Sequence, residues 1–166
     1  MNDLASTGDV TATAAVERTV TALIHRAARL ADEQDYRAWV KLFTDDAVYA
    51  AITRENLQSQ GLYLYYDEGI HAIKERAAYL EGGWQVPRGR TLHAVSNIDF
   101  LEASDSAASV LSYFVIYRTG DREHSKLHAC GEYRDAFVRV ERQWLFRSRI
   151  AVVDSQVLPP AFTELL

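Results

Sequence analysis

One cysteine, Cys130, stands in this chain of 166 residues, and that scarcity removes several kinds of protein at once. A lone thiol cannot close an intrachain disulfide, build a zinc site of several thiolates, or hold an iron-sulfur centre by itself. Positive charge is not in surplus either. The 18 basic and 23 acidic residues leave a net charge of -5, whereas phosphate neutralisation needs a concentrated Lys/Arg surface, so nucleic acid is excluded as a partner. No stretch approaches the roughly 18 consecutive apolar residues of a membrane helix, and no repeat recurs at a fixed period. Residues 1–13 lack the basic-then-apolar order of a signal peptide or anchor and read as a mobile tail. A cytoplasmic protein of ordinary solubility is expected.

What is present suffices for one core: 48% of the residues are hydrophobic, and no linker divides the expected single domain, 14–166. From Val16 to about Glu33, apolar residues recur at three- and four-residue steps, which predicts a long amphipathic helix. Asp35 is placed to cap a second helix over Tyr36–Phe43, with Trp39 on its apolar side. Asp45 and Asp46 read as a turn into a strand at Ala47–Ile52. Residues 53–61 read as an exposed loop, Leu62–Tyr66 as a strand, and Glu68–Leu80 as a third helix stopped by Gly82 and Gly83.

After Pro87 the pattern is that of sheet. Arg90–Leu101 alternates, with Leu92, Ala94, Ile98 and Phe100 expected on one face and His93, Asn97 and Asp99 on the other. Ala107–Arg118 is apolar on both faces, so helices are expected to cover one and a partner chain the other. Lys126–Val140 and Gln143–Val153 form a hairpin about Glu141 and Arg142, the last strand burying Trp144, Phe146, Ile150 and Val152 and turning Arg147 and Arg149 outward. Helices first and a long antiparallel sheet afterwards describe an α+β domain.

The ordered set Leu30 to Phe43, Asp45-Asp46, Tyr49, Thr53 to Asn56, Tyr65-Tyr66-Asp67, Arg76, Trp84, Arg90 to Asn97 and Val152 to Leu158 resembles the beta subunit of Rieske-type aromatic-ring-hydroxylating dioxygenases. The resemblance covers the chain from about Val16 to Leu166. It departs at Gln85 to Arg90, where family members carry consecutive prolines and a serine. It implies a cystatin-like, nuclear transport factor 2-like cone in which three N-terminal helices pack on a strongly curved, mainly antiparallel sheet. It further implies a non-catalytic subunit that self-associates as a trimer within an α3β3 hexamer. The Rieske [2Fe-2S] cluster and the mononuclear non-haem iron would then lie in the alpha subunit, with electrons from NAD(P)H arriving through a reductase. No cofactor is expected in this chain.

In that reading Trp39, Arg54, Tyr66, Asp67, Arg76, Arg90, His93, Asn97 and Asp154 form framework or subunit interface, with Asp67 and Arg90 as a candidate ion pair. The rival reading is a free-standing cone-shaped lyase or isomerase, with His93 working against Asp35 or Asp99 and helped by Tyr49, or a cone that binds a small ligand without chemistry. Metal binding is weaker. His124 and His128 are four apart on a hairpin arm, and His71 with Glu75 lacks a third ligand. Cys130 reads as a small packed residue.

Overall fold

The computed structural model describes residues 4–83, 89–158 and 165–166, so Trp84 and the stretch through Arg88 lie outside the described residues. Helix α1 (Leu4–Asp32) runs back through most of the segment expected as a tail. Its apolar stripe buries Val16, Val20, Ile24, Ala27, Leu30 and Ala31, as the spacing requires. Asp35 caps the short α2 (Tyr36–Val40) by accepting a hydrogen bond from the Ala38 N–H at 3.0 Å. That cap swings Trp39, only 1% exposed, into the core.

Strand β1 (Phe43–Thr53) begins earlier than expected, and Asp45 and Asp46 lie within it, exposed, where the pairing with β6 changes register. They are therefore part of a bulged strand, not a turn. The expected loop at 53–61 contains a helix, α3 (Arg54–Ser59), capped by the Thr53 hydroxyl, which accepts from the Asn56 N–H at 3.2 Å. Strand β2 (Tyr65–Glu68) passes into α4 (Gly69–Ala78) through Gly69, whose φ of 80° suits a residue without a Cβ. A π-helical turn, Tyr79–Gly83, follows. Ile73, Ala77 and Leu80 are buried as their spacing suggests.

Strands β3 (Arg90–Ala103), β4 (Ala107–Thr119), β5 (Lys126–Val140) and β6 (Gln143–Val153) complete a six-stranded sheet in the order β2-β1-β6-β5-β4-β3. All neighbours are antiparallel except β1 and β6. Gly131 lets β5 and β6 approach closely: a Cβ there would sit 1.9 Å from the carbonyl oxygen of Val152.

Two bulges overturn expectations about which side chains face inward. In β3, Asn97 adopts φ 51° and the pairing with β4 skips between Ser96 and Asp99. One extra residue reverses the alternation, so Thr91, His93 and Val95 share the inner face with Ile98 and Phe100, while Leu92 is 50% exposed. In the β5–β6 hairpin the register shifts between Ala136 and Phe137, opposite Arg147. Phe146 and Arg149 both point inward as a result. Arg149 is 2% exposed and Ile150 only half-buried, the reverse of the expected arrangement.

The inner face supports two clusters. One packs Trp39, Phe43, Tyr49, Phe137 and Phe146 beneath the helices. The other gathers Phe114, Ile116, Tyr133 and Val153, with the Phe114 and Tyr133 rings stacked at 4.4 Å. On the outer face, Leu92, Tyr117 and Leu127 lie side by side across three strands, 50%, 43% and 60% exposed. Val115 and Tyr113 continue this stripe along β4.

Candidate functional site

His93 lies on the inner face of β3 and meets the last turn of α1. Its side chain is 2% exposed, and its Nδ1 stands 2.6 Å from Asp32 Oδ1, while its main-chain N–H donates to the same carboxylate at 3.0 Å. Its Nε2 is 3.0 Å from the carbonyl oxygen of Leu165. Both ring nitrogens of His93 are therefore engaged with oxygens of the chain itself. Burial pushes the Asp32 carboxyl up, but hydrogen bonds and charge from His93 outweigh it and hold Asp32 below its ordinary range.

The partners proposed from sequence were different. Asp35 is engaged as the cap of α2, and Asp99 is exposed on β3 opposite Leu111. Asp32, which ends α1, was missed. Its only local signal is an acidic residue on the last turn of a helix, where the macrodipole disfavours it unless a cation or donor stands near.

A second line of contacts comes from β1, β2 and α4. Arg76 grips Asp67 in a two-pronged pair, with one Nη2–Oδ1 distance of 3.2 Å, and lies 3.7 Å from the centre of the Tyr65 ring. The expected Asp67–Arg90 pair is thereby corrected: Arg76, nine residues on in the facing helix, takes the carboxylate, and Arg90 is exposed at the start of β3. The Tyr65 hydroxyl donates to the Tyr49 hydroxyl at 3.0 Å. Tyr49 in turn donates to the Leu166 main-chain oxygen at 3.0 Å and accepts from the Leu166 N–H at 2.9 Å. Burial raises both phenols above their usual values, so they remain protonated donors.

The two lines meet at Leu165–Leu166, which are 3% and 2% exposed. Leu165 joins the cluster beneath the helices and Leu166 the second cluster, so these two residues bridge both. Beside them, a polar cleft of about 370 Å³ opens between α1 and β3, bordered by His25, Arg29, Asp32, Arg90 and His93. Tyr49 and His93 are thus engaged with the backbone of Leu165–Leu166.

The remaining framework residues divide between core and surface. Trp39 meets Tyr49 edge-on at 4.9 Å. Arg54 joins Asp154 at 2.6 Å and Glu132 at 3.3 Å, tying α3 to the end of β6. Tyr66 is half exposed, its ring 5.1 Å from that of Tyr63. Asn97 supplies the bulge. Asp135 and Arg149, missed from sequence, form a fully buried two-pronged pair at 3.0 and 2.8 Å. Among the described residues no group of three or more His, Cys, Asp or Glu gathers as metal ligands do. No helix among them is long and apolar enough to cross a membrane.

Comparison with known proteins follows the same lines. The family described as ring hydroxylating beta subunit matches residues 26–160. The chain belongs to this family. The small oxygenase component of the p-cumate 2,3-dioxygenase system of Pseudomonas putida is 32% identical over 103 residues, which covers 58% of this chain and 57% of that protein. The chain therefore spans little more than half the length of that relative. The beta subunit of the benzoate 1,2-dioxygenase of Burkholderia mallei superposes with a TM-score of 0.72 at 18% identity, covering 87% of this chain and 94% of that one. An NTF2-like protein with a cystatin-like fold from Novosphingobium aromaticivorans gives 0.72 at 19% identity, over 95% and 94% of the two chains. The α+β, cystatin-like architecture of this beta-subunit family member is the expected one, built here with four α-helices among the described residues rather than three.

Proposed function

We propose that this chain is the beta subunit of an aromatic-ring-hydroxylating dioxygenase, and that it builds the complex without carrying out chemistry itself. The reaction, incorporation of both atoms of O2 into an aromatic ring with electrons from NAD(P)H through a reductase, would run on a Rieske cluster and a mononuclear iron in an alpha subunit. The family match over residues 26–160 carries this reading. The donor set agrees with it: a Rieske cluster takes two cysteines and two histidines, and this chain has one cysteine. The inner polar groups agree as well, because His93 and Tyr49 spend their hydrogen bonds on Leu165 and Leu166. A base of the lyase or isomerase kind needs a free lone pair facing substrate.

The exposed row Leu92, Tyr117 and Leu127 supplies an apolar surface for assembly, as an α3β3 hexamer with a trimer of this chain at its base. The test is co-expression with a tagged ring-hydroxylating alpha subunit from the same genome. Expected is co-purification in equal amounts, at a mass of three copies of each, with the iron accompanying the alpha subunit. A chain that stays apart as a monomer and turns over a small substrate in a His93-dependent way would overturn the reading.

A further inference from the structure

The cleft between α1 and β3 carries side chains that the contacts around Leu165–Leu166 leave unused. It measures about 370 Å³, inside the range of roughly 300–1,000 Å³ that small-molecule sites span. One wall is the end of α1, which presents His25 and Arg29, four residues apart and so on one face of the helix. The other wall is the start of β3, which presents Arg90. Arg90 stands on a fixed support. Gly89 before it lies so close to β4 that a Cβ there would collide with the carbonyl oxygen of Thr119, and Arg90 itself pairs with Thr119 in the ladder.

The charge on these two walls is unspent. Arg37, Arg54, Arg76, Arg134, Arg147 and Arg149 each hold a carboxylate. Arg29 and Arg90 are exposed and join no described residue by an ion pair or hydrogen bond. Two carboxylates border the same cleft, and neither takes them. Asp32 is engaged with His93, accepting from its N–H and facing its Nδ1 at 2.6 Å. Glu33 is exposed and forms no ion pair with Arg29, four residues before it. Two guanidiniums brought to one concave place repel each other until an anion joins them. Ala28 and Val95 add apolar surface to the same lining.

We propose that this cleft binds a small organic carboxylate, its charged end held by Arg29 and Arg90 and its apolar body against Ala28 and Val95. The planar fork of a guanidinium matches the two oxygens of a carboxylate, and its face accepts a flat ring. An inorganic anion would leave the apolar part of the lining unused. The site is independent of the dioxygenase reading, because every group in it belongs to this chain.

Benzoate is the probe, with benzamide as its uncharged match in shape and sulfate as an anion without an apolar body. Titrated into the full-length, isotope-labelled chain, benzoate should move the amide resonances of Arg29, Arg90 and Val95 in a saturable way, and benzamide and sulfate at equal concentration should not. Arg29→Gln and Arg90→Gln should each weaken benzoate at least about tenfold, as the loss of a hydrogen bond between charged groups does. Arg26→Gln, on α1 but outside the cleft, should leave binding unchanged. All three arginines are exposed, so each variant should melt with the parent, which calorimetry without ligand checks. No saturable response to benzoate, equal binding of benzamide or sulfate, or an equal loss in Arg26→Gln would each overturn the site.

Discussion

Asp32, at the end of α1, receives two hydrogen bonds from one residue 61 positions away: the main-chain N–H of His93 and its ring Nδ1, at 3.0 and 2.6 Å. This fastens the long helix to the strand that carries the outer apolar row. The carboxyl is held below its ordinary value of 3.8, burial being outweighed by the His93 contacts. A depressed acid stabilises the fold above its unfolded pKa, and the contribution disappears as pH falls through the folded value. Asp32→Asn keeps the shape and removes the charge, so it should cost about 1–3 kcal/mol at pH 7. The difference between the two proteins should shrink below the ordinary carboxyl value. Urea midpoints for both at pH 7 and pH 3 decide it, and an equal gap at the two values counts against the assignment.

The Asp135–Arg149 pair joins β5 to β6 inside the sheet, with the guanidinium 4.2 Å from the centre of the Tyr133 ring and 4.5 Å from that of Phe146. Burial works against the charged guanidinium, but the carboxylate beside it holds Arg149 raised. Removing one partner of such a pair strands the other in an apolar place, at a cost of about 3–5 kcal/mol. Asp135→Asn and Arg149→Gln should each show a loss of that size in urea unfolding. Asp135→Leu combined with Arg149→Met should lose less than either single change. A single variant within about 1 kcal/mol of the parent would show that the pair adds little.

Much of this architecture was legible because periodicity survives wherever an element is long. α1 betrays itself through Val16, Val20, Ile24, Ala27 and Ala31, and β5 and β6 fall at their observed limits around the Glu141 turn, where φ is 56°. What periodicity cannot carry is an inserted residue. Asn97 and the shift opposite Arg147 each reverse the alternation, and a strict count of two therefore put Leu92 inside and Arg149 outside. α3 was missed because it buries none of its residues, yet Thr53 followed by Glu55 and Asn56 was a readable start signal. The candidate site was half visible. His93, Tyr49, Asp67 and Arg76 stood out by residue type, but their partners depend on contacts such as His93 with Leu165, 72 positions apart, that only the closed sheet creates.

The outer apolar row makes a prediction about assembly that is independent of the interior. Leu92, Tyr117 and Leu127 face away from the core, so charge placed there leaves the fold intact while opposing any apolar contact. Tyr117→Glu should melt within about 0.5 kcal/mol of the parent, as surface substitutions do. In sedimentation it should shift from an oligomer to a monomer. A variant that unfolds, or one that keeps the parent's mass, would place the subunit contact elsewhere.

Ser112 gives the last test, on β4 between the inward Val110 and Phe114. It is 1% exposed, and its Oγ makes no hydrogen bond to any described residue. A hydroxyl buried in that state loses its water without compensation, a penalty of about 1–3 kcal/mol. Ser112→Ala removes the oxygen and keeps the Cβ that packs between Val110 and Phe114. The variant should therefore be more stable, with a melting temperature higher by about 2–12 °C for a domain of this size. Calorimetry of the two proteins at pH 7 measures the difference directly. A lower melting temperature in Ser112→Ala would mean that the hydroxyl has a partner worth more than its burial costs.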